Sequence, residues 1–172
     1  RYRSIYWGFG QARAMPADYD GDGACDIAVF EPETATWQIL LSGGGFNRVL
    51  ASLAHPQAGQ SRQWGLPGDV PLAGDLDGDS CADLLVVREV AGELLWFASF
   101  SPCLSGRGEK KEEKVSFGQA GDLPFVADFD GDRKAELVLY RKEEGKWLVR
   151  LADDSRLEIA WGVPGGEPFI GD

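Results

Sequence analysis

Acidic residues recur at fixed spacing in three short segments of this chain, called the acidic loops below. Loop 1 reads DYDGDGACD from Asp18, loop 2 reads DLDGDSCAD from Asp75, and loop 3 reads DFDGDRKAE from Asp128. Each loop has acids at positions 1, 3, 5 and 9 and a glycine at position 4, and apolar residues with strand preference follow. Calcium binds about six to eight oxygen ligands, which acids at alternate positions of a tight turn can direct to one point. The pattern therefore predicts one calcium ion in each loop.

The predicted ligands are the acidic side chains of each loop and the main-chain carbonyl at position 7. They are Asp18, Asp20, Asp22, Ala24 and Asp26 in loop 1, Asp75, Asp77, Asp79, Cys81 and Asp83 in loop 2, and Asp128, Asp130, Asp132, Lys134 and Glu136 in loop 3. Position 12 is apolar in every loop, so the glutamate that completes an EF-hand is missing. Magnesium fits less well because it requires stricter octahedral geometry. An Asp-Gly turn with solvated charges is the alternative for a single loop, and recurrence in register disfavours it.

The sequence around the loops also repeats, and the repeat indicates which elements position the acids. Aromatic-glycine pairs, each followed eleven residues later by an aspartate, begin at Trp7, Trp64, Phe117 and Trp161. Each repeat divides into four short strands separated by turn-rich segments, with the acidic loop between the first and second strands. In the second repeat the strands are predicted at residues 70–74, 83–88, 93–100 and 114–117.

These strands predict an all-β fold of β-propeller blades, each with four antiparallel strands. The whole chain, 1–172, forms one segment with three complete blades at approximately 8–65, 66–118 and 119–162. Residues 1–7 are predicted as the outer strand of a preceding blade and 163–172 as the start of a fourth repeat, which gives partial blades at both ends. Three blades are fewer than the roughly four to eight that close a ring. The sequence therefore predicts further blades from a longer chain or self-association with another copy.

Charge and composition narrow the classes of partner. The net charge of −11 disfavours nucleic acid, because a phosphate backbone requires a basic face on the protein. No apolar run approaches the roughly 18 residues of a membrane-spanning helix, so no membrane span is expected. The acidic charge instead favours divalent cations as ligands.

A family resemblance rests on the segment WGLPGDVPLAGDLDGDSCADLLVV, residues 64–87. This segment resembles the FG-GAP or VCBS-type repeats of integrin α-subunit propellers and of many secreted bacterial proteins. The resemblance implies a secreted or cell-surface β-propeller that holds calcium and binds an extracellular protein or glycan ligand, in adhesion or as a lectin-like module. It does not imply an enzyme. The alternative is a structural spacer or a non-catalytic scaffold domain of a larger secreted enzyme.

The remaining candidates for chemistry are weaker. The only histidine, His55, is expected on a surface loop, and no nucleophile, zinc-protease or phosphate-loop spacing appears. The tryptophans are predicted to pack in the core rather than to stack on sugars. Trp37, Leu94 and Trp147 each lie eleven residues after position 9, whereas Trp96 departs from this register.

Two of the three cysteines are predicted to pair. Cys81 lies between the first and second strands of its blade and Cys103 between the third and fourth, and both connections emerge at the same edge. A Cys81–Cys103 disulfide is therefore topologically possible, and a secreted setting favours it. Cys25 is left as a free thiol.

Overall fold

The computed structural model describes residues 7, 10–44, 59–100 and 111–168. Within these ranges the fold is all-β, with three four-stranded antiparallel sheets and no α-helix. Sheet 1 contains β1 (Arg13–Ala14), β2 (Ile27–Glu31), β3 (Thr36–Leu40) and β4 (Gly59–Gln63). Sheet 2 contains β5 (Val70–Gly74), β6 (Asp83–Val90), β7 (Glu93–Phe100) and β8 (Lys111–Gln119). Sheet 3 contains β9 (Leu123–Ala127), β10 (Glu136–Arg141), β11 (Lys146–Arg150) and β12 (Arg156–Ala160).

The strands of each sheet lie side by side in chain order. The predicted all-β class and four-stranded antiparallel units are thus confirmed, and β5 and β7 have the predicted bounds. β6 and β8 are longer than predicted, because the hairpin between β6 and β7 continues to a two-residue turn and β8 pairs with nearly the whole of β7. No closed ring forms among the described residues, so the propeller arrangement stays a prediction.

The apolar core lies between successive sheets. The first cluster joins Phe30 and Trp37 of sheet 1 to Leu84 and Val86 of sheet 2, and the second joins Leu85 of sheet 2 to sheet 3. Successive side chains of a strand point to opposite faces, so β6 is buried on both sides. This double burial explains the unbroken apolar run after Asp83 in the sequence.

Three tryptophans occupy one structural position, which the sequence register did not reveal. Trp37 pairs with Phe30, Trp96 with Val87 and Trp147 with Tyr140, each at the same place in its sheet. The equivalent of Trp37 and Trp147 in sheet 2 is therefore Trp96, and not Leu94 as the spacing suggested. The β6–β7 hairpin extends by two further residue pairs to a turn at Ala91 and Gly92, where both residues have positive φ, and this adds two residues to the spacing.

The tryptophans in the strands and after the last strand differ in burial. Trp37 and Trp96 are almost fully buried, as predicted, and their indole N–H groups donate to the carbonyls of Trp64 and Phe117. Trp161, in contrast, is 77% exposed. It lies on the face of sheet 3 that points away from sheet 2, beside a cavity of about 620 Å³ that Phe129, Tyr140, Trp147 and Ile159 also line. These five aromatic or apolar side chains are called the open face of sheet 3 below.

Several predictions fall outside the described residues. His55, Cys103, most of the predicted outer strand at 1–7 and the last residues of the predicted fourth repeat, 169–172, are in this group. The described part of the chain includes no helix long and apolar enough to cross a membrane.

Candidate metal site

The three acidic loops share one backbone geometry. Loops 2 and 3 join the first strand of a sheet to the second, and loop 1 leads into β2. In loop 2 the Asp75 carboxylate accepts the N–H groups of Gly78 at 2.7 Å and Ser80 at 2.8 Å. The equivalent bonds in loop 1 join Asp18 to Gly21 and Gly23, and in loop 3 they join Asp128 to Gly131 and Arg133. The first acid of every loop thus fixes the turn that follows it.

Two positions of the turn have a left-handed backbone. At position 4 the φ angles are +75° in Gly21, +84° in Gly78 and +84° in Gly131, which explains the glycine in all three loops. At position 6 φ is also positive, although loops 2 and 3 have Ser80 and Arg133 there. L-residues at such angles are strained, so the surrounding hydrogen bonds must hold them in place. The sequence indicated the first of these positions and not the second.

The acid at position 9 is buried in every loop. Asp26 and Asp83 are 0% exposed and Glu136 is 3% exposed. Each accepts the N–H of the residue at position 2 of its own loop, at 2.8 Å, 3.0 Å and 2.7 Å respectively. Burial raises the pKa of Asp26 and of Glu136, and neighbouring loop carboxylates raise it further. These acids therefore pay a desolvation cost in their charged form that a nearby cation would offset.

Each loop brings three carboxylates together. The ligand atoms lie within 4.8 Å of one another in the sets Asp18, Asp20 and Asp22 of loop 1, Asp75, Asp77 and Asp83 of loop 2, and Asp128, Asp130 and Glu136 of loop 3. The composition differs in one respect: loop 1 uses the acid at position 5 and the other two loops use the acid at position 9. Two of the four predicted acidic ligands, at positions 1 and 3, are common to all three clusters.

The position 9 acid of loop 1 has two hydrogen-bond partners. Both carboxylate oxygens of Asp26 are engaged, one by the N–H of Tyr19 and the other by the N–H of Ser42 at 2.7 Å. The Ser42 hydroxyl also donates to Asp22 at 3.2 Å. Sequence reasoning missed Ser42, because it lies 16 residues beyond Asp26 in the short 3₁₀ turn Ser42–Gly44, outside the loop motif.

The remaining predicted ligands have other contacts. The carboxylates of Asp79 and Asp132, at position 5, accept the N–H groups of Cys81 and Lys134. In loop 1 the corresponding bond joins the N–H of Ala24 to Asp22. The amide groups at position 7 thus point to the loop acids, and the predicted coordination by the position 7 carbonyls stays a prediction.

The donor set suits a hard divalent cation. All donors in the three clusters are carboxylate oxygens, which calcium and magnesium prefer over nitrogen or sulfur ligands. At position 3, the second oxygen of Asp20, Asp77 and Asp130 accepts no hydrogen bond from a described residue. Burial and the adjacent acids also raise the pKa of Asp20. Like charges gathered this closely, with spare acceptor oxygens, fit a bound cation.

Neighbouring loops contact one another. The N–H of Ala82 in loop 2 donates to the carbonyl of Asp18 in loop 1 at 2.7 Å, and the N–H of Ala135 in loop 3 donates to the carbonyl of Asp75 in loop 2 at 2.6 Å. The side chain of Lys134 also packs on the loop 2 turn, since a Cβ built on Gly78 would lie 3.0 Å from its Cε. No sequence pattern predicted these contacts between loops.

The cysteines are only partly described. Cys81 is completely buried, and its predicted partner Cys103 lies outside the described residues, so the disulfide stays a prediction. Cys25 is a free, exposed cysteine, as predicted.

Comparison with known proteins gives one match. The family model of the FG-GAP-like repeat matches residues 18–86, which include loops 1 and 2 and the strands between them. The match supports the predicted repeat family for this part of the chain. No curated protein and no solved structure matches the chain.

Proposed function

We propose that this chain is a calcium-binding, non-catalytic β-propeller segment that acts outside the cell as a ligand-binding or adhesion module. The observation that supports it best is the threefold recurrence of one loop geometry with three converging carboxylates. A single acidic turn is common on protein surfaces. Three turns with the same hydrogen bonds and a buried acid at the same position indicate that all three have the same function. The FG-GAP-like match over residues 18–86 supports the same proposal.

The acids at positions 1 and 3 would hold the ion in every loop, joined by Asp22 in loop 1, Asp83 in loop 2 and Glu136 in loop 3. The ion would supply positive charge where carboxylates repel one another. The protein's own part is to preorganise the oxygens: main-chain N–H groups fix the carboxylates at positions 1, 3 and 9 before any ion arrives. Ion binding then stabilises the junction between the first and second strands of each sheet.

The propeller arrangement is supported by the way the sheets pack. Sheet 2 covers one face of sheet 1, sheet 3 covers the other face of sheet 2, and the open face of sheet 3 has Trp161 and Ile159 exposed. Face-to-face packing of four-stranded sheets in chain order is the arrangement of propeller blades. Further blades, from a longer chain or from another copy, would cover the open face of sheet 3.

The proposed extracellular setting implies weak calcium sites. Extracellular calcium modules have dissociation constants of about 0.1 to 1 mM, so roughly 1 mM free calcium would stabilise each site by about 0.4 to 1.4 kcal/mol. We expect a protein or glycan ligand, and a screen of both ligand classes separates a binding module from a structural spacer.

Calcium titration by calorimetry of the parent and of two variants tests the metal proposal. Asp77→Ala should remove one bound ion and lower the melting temperature mainly when calcium is present, because without the ion Asp77 accepts only the exposed N–H of Asp79 at 3.1 Å. Asp130→Ala should lower the melting temperature less, because Arg133 already weakens cation binding in loop 3. The third site should also empty first as calcium is diluted.

Asp153→Ala is the matched control, because Asp153 is an exposed acid outside the loops and should leave calcium binding unchanged. A parent protein that binds no calcium at millimolar concentration would contradict the metal proposal. Equal occupancy of all three loops down to micromolar calcium would contradict only the predicted order in which the sites lose their ions.

A further inference from the structure

The acidic loops are joined in series by main-chain hydrogen bonds. Residue 1 of loops 1 and 2 takes part in two sets of contacts: its carboxylate fixes its own loop, and its carbonyl accepts an N–H from the next loop. Asp18 accepts from Ala82 at 2.7 Å and Asp75 accepts from Ala135 at 2.6 Å. The same residue therefore belongs to the metal cluster of one loop and to the backbone support of the next.

The donors in these bonds stand next to the buried acids. Ala82 directly precedes Asp83, and Ala135 directly precedes Glu136, both of which belong to the carboxylate clusters of their loops. Because Asp83 and Glu136 are 0% and 3% exposed, their backbone has little freedom to move independently of this bond. The position of a cluster acid in one loop thus depends on the first acid of the loop before it.

Loops 2 and 3 have additional side-chain contacts. The stem of Lys134 lies against the Gly78 turn, and a Cβ built on Gly74 would lie 3.2 Å from the Cβ of Ala135. Any loosening of the loop 2 turn would therefore disturb Lys134 and Ala135 directly. A displacement of loop 2 would therefore reach the residues that directly precede Glu136 in loop 3.

From these contacts we infer that the loops are coupled, so that filling one loop with its ion raises the affinity of the neighbouring loop. The inference rests on the proposed calcium function and concerns the regulation of the same sites. An ion fixes residue 1 of its loop, and residue 1 then holds the backbone donor beside the acid of the next cluster. Coupling is reciprocal at equilibrium, so the effect extends in both directions along the series.

Loop 1 contains a natural control for this coupling. Cys25 occupies the position of Ala82 and Ala135 in its own loop, yet its main-chain N–H donates to no described residue. Proline at position 8 removes this N–H in any loop. Ala135→Pro would thus break an inter-loop bond, whereas Cys25→Pro would change the same loop position without breaking one.

Nuclear magnetic resonance can follow each loop separately. The amides of Gly21, Gly78 and Gly131 each donate to the first acid of their own loop, at 2.7, 2.7 and 2.6 Å, so each resonance reports one site. In calcium titrations of the 172-residue chain, Ala135→Pro should raise the midpoints at Gly78 and Gly131 by about fivefold or more. Cys25→Pro should leave both midpoints unchanged. Equal shifts in the two variants would overturn the coupling.

A second variant keeps the test decisive if Ala135→Pro does not fold. Asp130→Ala removes a cluster carboxylate from loop 3 and leaves every inter-loop bond in place. It should raise the calcium midpoint at Gly78, although loop 2 itself is unaltered. An unchanged Gly78 midpoint would overturn the coupling while leaving calcium binding intact. Failure of all three glycine amides to respond to calcium would instead overturn the proposed function on which the coupling rests.

Discussion

The buried acids at position 9 determine how the loops respond to pH. Burial raises the pKa of Asp26 and Glu136, so the folded protein holds these protons more tightly than the unfolded chain does. Their contribution to stability is therefore complete below the unfolded pKa, near 4, and is lost as the pH rises through the higher folded pKa. A cation beside the carboxylates opposes this loss because it favours the charged form.

The resulting prediction concerns Glu136→Gln in the presence of a chelator. In the parent, the carboxylates whose folded pKa is raised should contribute a fall in melting temperature as the pH rises from about 4 towards neutrality. This fall in melting temperature should be smaller in the variant, because an amide does not ionise. Calorimetry across this pH range gives the comparison, with Glu158→Gln on the same sheet as the control for removal of one exposed acid. Identical pH profiles for the parent and Glu136→Gln would contradict the assignment.

At the scale of the elements, sheets 2 and 3 each have an ion pair with a buried aspartate. It joins the second strand of the sheet to the turn that precedes the first strand. Arg88 makes two hydrogen bonds to Asp69, at 2.7 and 2.8 Å, and Arg141 makes two to Asp122, both at 2.9 Å. The aspartate side chains are 1% exposed. Sheet 1 has Ala12 and Glu31 at the equivalent positions and lacks the pair, and its first strand, β1, is only two residues long.

Asp69→Ala should therefore destabilise the protein by about 2 kcal/mol, because it leaves a half-buried guanidinium and the Leu66 N–H without their acceptor. Arg88 keeps 30% of its side-chain exposure, which holds the cost below that of a fully buried pair. Urea denaturation measures the change. Glu113→Ala removes the exposed Lys111–Glu113 pair instead and should cost less than about 0.5 kcal/mol. Comparable losses in the two variants would argue against a special role for Asp69.

The predicted disulfide also belongs to this scale, because it would link two connections of one sheet. A Cys81–Cys103 bond closes a segment of roughly 20 residues, for which the chain-entropy model gives about 3 kcal/mol. Thiol titration of the urea-unfolded protein without reductant should then detect one thiol per chain, from Cys25, and none in Cys25→Ser. Reductant should lower the melting temperature. Three reactive thiols in the unreduced protein would exclude the bond.

The sequence predicted what depends on local spacing and missed what depends on packing. Loop positions 1, 3 and 4 and the bounds of β5 and β7 follow from residue type and period. Ser42, the inter-loop bonds and the equivalence of Trp96 with Trp37 depend on contacts between segments far apart in the chain. The Arg-Asp pairs could have been predicted in part. In both pairs the two residues are 19 positions apart, and this repeated spacing is visible in the sequence.

At the scale of the whole molecule, the described sheets form a series with two covered junctions, and the open face of sheet 3 lies at one end of this series. At the first junction, Tyr19 of loop 1 and Phe30 and Trp37 of sheet 1 are at most 1% exposed beneath sheet 2. The equivalent side chains are Phe129 of loop 3, which is 40% exposed, and Tyr140 and Trp147 of sheet 3, of which Tyr140 is 3% exposed. At the first junction, sheet 2 covers these positions of loop 1 and sheet 1. The open face of sheet 3 thus has the kinds of side chain that are buried between sheets.

We therefore expect the chain on its own to self-associate through the open face of sheet 3. Exposed apolar patches of this kind promote association, and Trp161, 77% exposed beside Ile159, offers the largest apolar surface there. Trp161→Lys should shift the sedimentation profile towards monomer at equal protein concentration, because a charged side chain in the contact must be desolvated. Val90→Lys, at an exposed hairpin tip of sheet 2, introduces the same charge away from this face and should leave association unchanged. A parent that sediments as a monomer at all concentrations, or equal effects of the two lysines, would show that the open face does not mediate self-association.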